Sequence, residues 1–433
     1  MILHDKISAM LPAWRERVKA LINEHGEKVI DQVTIGQVYG GMRDIKLLAT
    51  DISLVDPQFG IRLRGLSIPE ALAALPKPDG GDVPYVGGMY YLLMVGEVPT
   101  KAQAEEVEAE WAKRAVVPAY VYTMLRAMPS DTHPMVLLCQ AVLSMERDSK
   151  FSKVYKEGIK KDLYWETTLE DSLDITARMP ILAAFIYRLK YGDKGEPRYD
   201  PSLDLGGNFA KMLNVTNAKE YADLSRLYLN LHSDHESGNV CAHSTLLIGS
   251  ALSDPYYSFS AGLHGLAGPA HGLANQECLL WLVSLYDRFG RVPTRQELRD
   301  FAWETLNKGK VIPGYGHAVL RVTDPRFTAQ LDFAKKYFPD DYLIQLVDLV
   351  YEVIPQVLKE QGKAKNPAPN VDAISGALQY HYGIRESDYY TVLFGVGRAL
   401  GVTANLVWAR ALGQPIERPK SVTTPMLEEM AKQ

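Results

Sequence analysis

The order of apolar and polar positions along the chain predicts a mainly α-helical protein. Apolar residues recur about every 3.6 positions in a series of long stretches, the spacing that places them on one face of a helix. These stretches are 118–128, 134–146, 168–190, 219–232, 273–289, 295–308, 342–361 and 385–412. The one clear alternating stretch, GIRLRGLSI at 60–68, predicts a short strand or hairpin that ends before Pro69.

Helix starts and loop-rich breaks suggest how the chain is divided. Thr100 with Gln103, and Thr294 with Glu297, have the spacing of capping boxes. Breaks rich in Gly and Pro fall at 262–272 and 363–370 and bracket a helical segment. We therefore expect a large helical domain (1–271 and 381–433) and a smaller inserted helical domain (272–380), with the active site in the cleft between them.

Composition and charge are those of an ordinary globular protein. The chain is 47% apolar and 23% charged, with a formal net charge of −5. This balance argues against a general nucleic-acid surface, so local basic groups must bind any anionic ligand. The most apolar stretch, 391–413, nearly reaches the length of a membrane span but contains Arg398 and Arg410. A buried core helix is the better interpretation.

The first helical stretch and the cysteines bear on cellular location. Residues 5–26 form an amphipathic pattern of mixed charge, unlike a secretory signal and too acidic for a transit peptide. Cys139, Cys241 and Cys278 are odd in number and widely spaced in apolar surroundings, which predicts buried thiols in a reducing compartment.

Histidines are concentrated between 232 and 317. His232 and His235 are three residues apart and could share one helical face, but the segment matches neither HExxH nor HxxEH, so no metal site is predicted. His232, His243 and His264 are better explained as hydrogen-bonded structural histidines. His235 lies in a polar cluster before Ser-Gly-Asn, where its N–H could hold a substrate oxygen.

Three residues lie beside breaks that could expose them to a ligand: His271 in GLHGLAGPAHG, His317 in VIPGYGH and Asp372 in KNPAPNVD. Each histidine follows or precedes glycine and is predicted to open a helix. Partial positive charge there would keep the ring neutral, as a donor to an oxygen that gains charge. Asp372 is predicted in a first helical turn, where it could pair with the helix dipole or act as a general base.

Arginines suggest a substrate with several carboxylates. Arg398 lies inside an apolar helix, where its charge needs an internal carboxylate or a ligand. Arg321 and Arg326 follow His317 closely, and Arg418 lies in the C-terminal tail. A guanidinium binds a carboxylate through two parallel hydrogen bonds. Each arginine taken alone is better explained by a structural or surface ion pair.

These motifs together resemble citrate synthase. The similar segments run in order from about residue 35 to 420, and the motifs are long and specific. They are YGGMRDIK, GIRLRGLSIPE, LHSDHESGNVCAHS, GLAGPAHGLANQE, VIPGYGHAVLRVTDPR, NPAPNVDAISG, LFGVGRALG and RPKS.

The resemblance implies a condensation of acetyl-CoA with oxaloacetate and water to give citrate and CoA. It gives Asp372 the removal of a methyl proton, His271 the stabilisation of the enolate or enol, and His317 the polarisation of the oxaloacetate carbonyl. Citryl-CoA is then hydrolysed. No metal and no separate cofactor are implied, because the coenzyme A thioester is itself a substrate.

The resemblance also implies two sets of binding residues. Oxaloacetate would be held by His235, Arg326 and Arg398 of one subunit and Arg418 of a homodimer partner. The implied coenzyme A residues are Arg43, Val311, Gly314, Tyr315, Gly316, Arg321, Lys363, Lys365 and Asn370, with Arg43 contributed by the partner. Where the family often has an arginine, this chain has Lys161, which keeps the charge but not the fork.

The resemblance leaves alternatives for activity and location. It favours the dimeric, mitochondrial branch and hence the mitochondrial matrix, with the cytoplasm as the alternative. No membrane span and no nucleic acid partner are expected. A 2-methylcitrate synthase would use propionyl-CoA with the same three residues, and a binding protein that had lost its chemistry could keep the scaffold.

Overall fold

The structure, a computed structural model, describes residues 1–317 and 319–432, and within this range it is mainly α-helical. The helices up to residue 231 are α1 (Ile2–His25), α2 (Ile35–Tyr39), α3 (Ile68–Ala74), α4 (Val86–Val95), α5 (Lys101–Arg114), α6 (Ala119–Ala127), α7 (Pro134–Ser144), α8 (Lys150–Lys156), α9 (Tyr164–Tyr191), α10 (Leu205–Leu213) and α11 (Ala218–Leu231). The later helices are α12 (Val240–Ser250), α13 (Pro255–Leu266), α14 (Ala274–Phe289), α15 (Arg295–Asn307), α16 (Pro325–Tyr337), α17 (Tyr342–Gln361), α18 (Asp372–His381), α19 (Tyr390–Ala411) and α20 (Thr424–Met430).

The periodic stretches of the sequence correspond closely to these helices. The predicted helix at 342–361 is α17, with the same limits, and the one at 273–289 is α14, which starts one residue later. The predicted stretch at 385–412 starts too early, because a short 3₁₀ turn at Ser387–Tyr389 precedes α19. Both capping boxes, at Thr100 and Thr294, are present.

The alternating stretch forms part of a small antiparallel sheet. Strands β1 (Ser53–Asp56), β2 (Gly60–Leu63) and β3 (Leu66–Ser67) lie in the order β1-β2-β3, and Ser53 is paired with Leu63. The predicted hairpin corresponds to β2 and β3. The sequence pattern does not predict β1, because a strand of four residues is too short to establish an alternation.

Helix α19 lies in the centre of the fold and packs along α9 and α12. It is the one helix in the described range that is long and apolar enough to cross a membrane, but 89% of its most apolar window is buried inside the protein. The prediction of a core helix is confirmed. A Cβ at Gly401 would lie 2.3 Å from Cβ of Asp234, so glycine lets the turn after α11 pack directly on α19.

Helices α14 to α18 pack largely on one another: α14 on α17 and α18, α15 on α17, and α16 on α18. This is the segment for which the sequence predicts a separate small domain, and its division from the rest of the chain stays a prediction. Tyr382, just after α18, donates a hydrogen bond to Glu220, and Tyr221 donates one to Gln379, so α11 and α18 are joined by polar contacts.

Candidate active site

The three residues singled out beside the breaks occupy three kinds of position. His271 lies in the turn between α13 and α14, three residues before α14 begins. Asp372 is the first residue of α18, which confirms the predicted first-turn position. His317 lies in a loop, and the next helix, α16, begins only at Pro325. The prediction that His317 opens a helix is therefore wrong, because Asp324, not the histidine loop, caps α16.

Backbone hydrogen bonds fix the tautomer of His317. Its Nδ1 accepts hydrogen bonds from the main-chain N–H groups of Val319 at 3.0 Å and Leu320 at 2.9 Å. A ring nitrogen that accepts cannot carry a proton, so a neutral His317 carries its proton on Nε2. Burial, and then the charge of Arg326, lower the pKa of His317 to about 4. At pH 7 the ring is a neutral donor through Nε2.

His271 has a buried ring nitrogen without a hydrogen-bond partner among the described residues. Among the described residues, its Nε2 is buried and has no hydrogen-bond partner. Burial and the charge of Arg398 lower the pKa of His271 to about 4, so the ring is neutral at pH 7. The neutral state predicted for both histidines therefore agrees with these pKa values. Burial and nearby arginines keep the two rings neutral, and not the partial charge of a helix N-terminus that the sequence predicts.

Asp372 has a pKa displaced in the opposite direction. Desolvation by the surrounding protein raises the pKa of its carboxyl group to about 6, although Arg326 opposes the rise. Its backbone N–H donates to Oδ1 of Asn370 at 2.9 Å, which fixes the start of α18. A carboxylate with a pKa near 6 is a stronger base than an exposed one and is still ionised at pH 7.

Main-chain hydrogen bonds join the His317 loop to the Asp372 loop. Tyr315 and Pro369 form an isolated antiparallel bridge, and the N–H of Asn370 donates to the carbonyl of Gly314 at 2.9 Å. The side-chain amide of Asn370 also donates to the carbonyl of Gly316 at 3.0 Å. Gly314 has a φ of +78°, which favours glycine. The two loops thus hold His317 and Asp372 in a fixed relation.

His235 and His317 face each other, with ring centroids 5.7 Å apart. Burial, then the charges of Arg326 and Arg398, hold the pKa of His235 well below its usual range. The interpretation that His232 and His235 share a helical face is wrong, because α11 ends at Leu231 and His235 lies in the following turn. The ring of His232 is bound to the carbonyl of Tyr228 at 2.8 Å, as expected of a structural histidine.

The two buried arginines of this cluster, Arg326 and Arg398, differ in their partners. Arg326 is paired with Asp324, with Nη2 and Oδ2 2.7 Å apart. Arg398 is 1% exposed, donates from Nη1 to Oδ1 of Asn239 at 2.9 Å and lies over the ring of Phe394. No described carboxylate lies within 4.0 Å of Arg398. The sequence predicted either an internal carboxylate or a ligand as its partner, so the ligand remains. A buried guanidinium of this kind favours an anionic ligand.

Several of these partners were not singled out from the sequence. Asp324 precedes Pro325, and an Asp-Pro pair is a signal for a helix start that could have located it. Asn239 caps α12 with its side chain and also accepts from Arg398. Phe394 lies one helical turn before Arg398, a spacing that places both on one face of α19.

Most of the other predicted binding residues are exposed. Arg43 is exposed in the turn after α2, and Arg418 is exposed in the tail after α19; neither contacts the cluster within the described part of its own chain. Val311, Lys363 and Lys365 are exposed. Arg321 donates from its side chain to the carbonyls of Val319 and Leu320. Among the described residues, no group of three or more His, Cys, Asp or Glu side chains is placed to hold a metal ion.

A protein-family comparison and a known relative match most of this chain. The family described as "Citrate synthase, C-terminal domain" matches residues 41–420. The chain belongs to the citrate synthase family. A relative named as a probable mitochondrial citrate synthase, from Glossina morsitans morsitans, is 53% identical over 431 residues, which cover 99% of this chain and 92% of the relative.

Solved citrate synthases share the fold. The enzyme of Pyrobaculum aerophilum is 23% identical with a TM-score of 0.78, and the match covers 92% of this chain and 97% of that one. A ternary complex of the Thermoplasma acidophilum enzyme with carboxymethyl coenzyme A and oxaloacetate is 21% identical with a TM-score of 0.74, over 91% and 97% of the two chains. The mainly α fold is therefore that of solved citrate synthases.

The tautomer of His317 can be measured in this member of the family. We expect nitrogen-15 NMR of the histidine-labelled chain at pH 7 to show a protonated Nε2 and an unprotonated Nδ1, because two backbone N–H groups occupy Nδ1. His317→Gln identifies the resonances by removing them. A doubly protonated ring, or a proton on Nδ1, would contradict the assignment.

Proposed function

We propose that this chain condenses acetyl-CoA with oxaloacetate and water to give citrate and CoA. The observation that carries the proposal is the cluster of two neutral histidines, a raised-pKa carboxylate and a buried arginine without a carboxylate partner. The 53% identity to a mitochondrial citrate synthase supports this reaction and does not favour the 2-methylcitrate alternative.

Proton abstraction is assigned to Asp372. Its carboxylate takes a proton from the methyl group of acetyl-CoA, and the resulting negative charge moves to the thioester oxygen. The unpaired Nε2 of His271 is the group proposed to stabilise that oxygen, because a donor in a desolvated site stabilises developing charge strongly. A neutral imidazole suits this role, because one of its ring nitrogens carries a proton that can be donated in a hydrogen bond to this oxygen.

Carbon–carbon bond formation is assigned to the His235–His317 side of the cluster. The enolate carbon attacks the ketone carbon of oxaloacetate, and Nε2–H of His317 donates a hydrogen bond to the ketone oxygen as it becomes an alkoxide. The proton that Asp372 took from the methyl group returns through water to this oxygen, which gives citryl-CoA and restores the carboxylate. Water then attacks the thioester carbonyl, so the carbon–sulfur bond breaks and CoA leaves as a thiol.

Oxaloacetate is proposed to lie among His235, Arg326 and Arg398. The unpaired charge of Arg398 can bind one carboxylate, while Arg326 shares its charge with Asp324 and the substrate. Arg418 of the partner subunit completes this set in the proposed homodimer. The oxaloacetate complex of the Thermoplasma enzyme supports a dicarboxylate ligand on this fold.

Coenzyme A is proposed to lie along the 311–317 loop. The main chain of this loop (Val311, Gly314, Tyr315 and Gly316) would contact the adenine, with Asn370 bracing the loop. Exposed basic residues would meet the phosphates: Arg321, Lys363, Lys365 and Arg43 of the partner subunit. We assign no cofactor or metal to the reaction. The mitochondrial relative supports a location in the mitochondrial matrix, which subcellular fractionation would check.

The proposed reaction can be tested by thiol release. With oxaloacetate present, we expect free CoA to appear with acetyl-CoA and kcat/KM to be higher for acetyl-CoA than for propionyl-CoA. Omitting oxaloacetate is the control and should abolish release. A preference for propionyl-CoA would reverse the choice of acyl donor, and no release with either thioester would refute the reaction.

The role of Asp372 predicts a mutant and a pH effect. Asp372→Asn should lower kcat by at least about 100-fold, because general-base catalysis contributes about 10²–10⁴-fold. Asp332→Asn, on the exposed face of α16, is the matched control. In the unmodified chain, kcat/KM for acetyl-CoA should fall as the pH falls below about 6, because protonation removes the base. A variant with full turnover would refute the assignment.

The homodimer and the two-domain division predict a scattering result. X-ray scattering of the free chain should give the mass of two copies, and adding oxaloacetate should decrease the radius of gyration as residues 272–380 close on the rest. Succinate, which lacks the ketone, is the control ligand. A monomer mass would refute the shared site, and an unchanged radius would refute closure.

A further inference from the structure

The β1–β2 hairpin contacts both sides of the proposed oxaloacetate site. Its first strand is bound to the turn that carries His235, and its tip is bound to the loop between His317 and Arg326. One face of the hairpin packs in the apolar core through Val55, Ile61 and Leu63, and on the other face Leu54 is 61% and Phe59 58% exposed. Besides this apolar packing, the hairpin makes polar contacts at its base and at its tip.

The base of the hairpin holds both neighbours of His235. Oγ of Ser53 donates to Oδ2 of Asp234 at 2.6 Å and accepts from the backbone N–H of Glu236 at 2.7 Å. The backbone N–H of Val55 donates to Oε2 of Glu236 at 3.0 Å. Glu236 has a φ of +48°, which a residue with a side chain rarely adopts. Because one strand binds the residues on either side of His235, it fixes that backbone.

The tip of the hairpin packs against the residues that precede Arg326. The carbonyl of Pro57 accepts from the backbone N–H of Arg321 at 2.8 Å. At Gly60, where φ is +81°, a Cβ would lie 2.6 Å from Cδ of Pro325. The backbone at Gly60 thus contacts Pro325, the residue before Arg326, so closely that a side chain at position 60 would not fit.

We propose that the β1–β2 hairpin is a positioning element for oxaloacetate, in which Ser53 and Gly60 set the separation of His235 from Arg326. The inference rests on the proposed function, because it assumes that these two residues bind the substrate. Neither Ser53 nor Gly60 touches oxaloacetate; each acts through the backbone that carries a binding residue. Loss of either contact lets one side of the site shift, which weakens binding of a ligand held from both sides.

Ser53→Ala tests the base of the hairpin against a matched control. Ser149 makes the same two kinds of bond, since its Oγ donates to Oδ2 of Asp171 at 2.7 Å and accepts from the N–H of Ser152 at 3.0 Å. Both serines are buried. By titration calorimetry with oxaloacetate, Ser53→Ala should raise the Kd about tenfold, the size expected for a lost buried hydrogen bond. Ser149→Ala should leave it unchanged, although both variants lower the unfolding temperature.

Gly60→Ala tests the tip in the same way. Gly65 also has a positive φ, +89°, but a Cβ there meets no atom within 4 Å. The two alanine variants therefore introduce similar backbone strain, and only Gly60→Ala pushes against Pro325. We expect Gly60→Ala to raise the KM for oxaloacetate about tenfold, with a smaller effect on kcat, and Gly65→Ala to match the unmodified chain.

Equal oxaloacetate affinity within each pair would overturn the positioning role, because the hairpin would then be only a structural element. If Ser53→Ala does not fold, the glycine pair decides. If the unmodified chain itself does not bind oxaloacetate, the proposed function fails, and that outcome is seen before any variant is made.

Discussion

The buried charge of Arg398 is the constraint on which the rest of the site depends. A guanidinium removed from water without a carboxylate partner costs several kcal/mol, only partly offset by the amide of Asn239 and the face of Phe394. The fold keeps this charge in place by embedding it in α19, its most buried long helix. Burial lowers the pKa of His235 and of His271, and the positive charge of Arg398 lowers both pKa values further, after that of Arg326 in the case of His235.

The same surroundings displace the pKa values of an acid and of bases in opposite directions. Burial disfavours whichever form is charged, so it raises the pKa of Asp372 and lowers those of His271 and His317. At neutral pH this leaves one ionised carboxylate among neutral rings. The proposed mechanism uses no metal and needs one proton acceptor and two hydrogen-bond donors. Desolvation favours the protonation state that each of the three residues needs.

Sequence patterns predicted the parts of the molecule that depend on nearby residues. The period of apolar positions located α17 and α14, and a charge within an apolar stretch identified Arg398 as a buried residue. The loop position of His317 was not predictable, because glycine and proline mark a break without saying how far the next helix lies. The contacts of Ser53 with Asp234 and of Pro57 with Arg321 join residues far apart in the chain, which no local pattern records. The division of labour among the catalytic candidates came from the family resemblance.

The two backbone N–H groups on Nδ1 of His317 also limit what this residue can do. A ring that relays protons must take one up at one nitrogen while releasing another, and here the first nitrogen is permanently occupied by donors. The imidazole of His317 therefore donates a hydrogen bond in a fixed direction and does not relay protons. In the proposed mechanism, proton transfer is therefore left to Asp372 and to water, and His317 keeps the same protonation state from one turnover to the next.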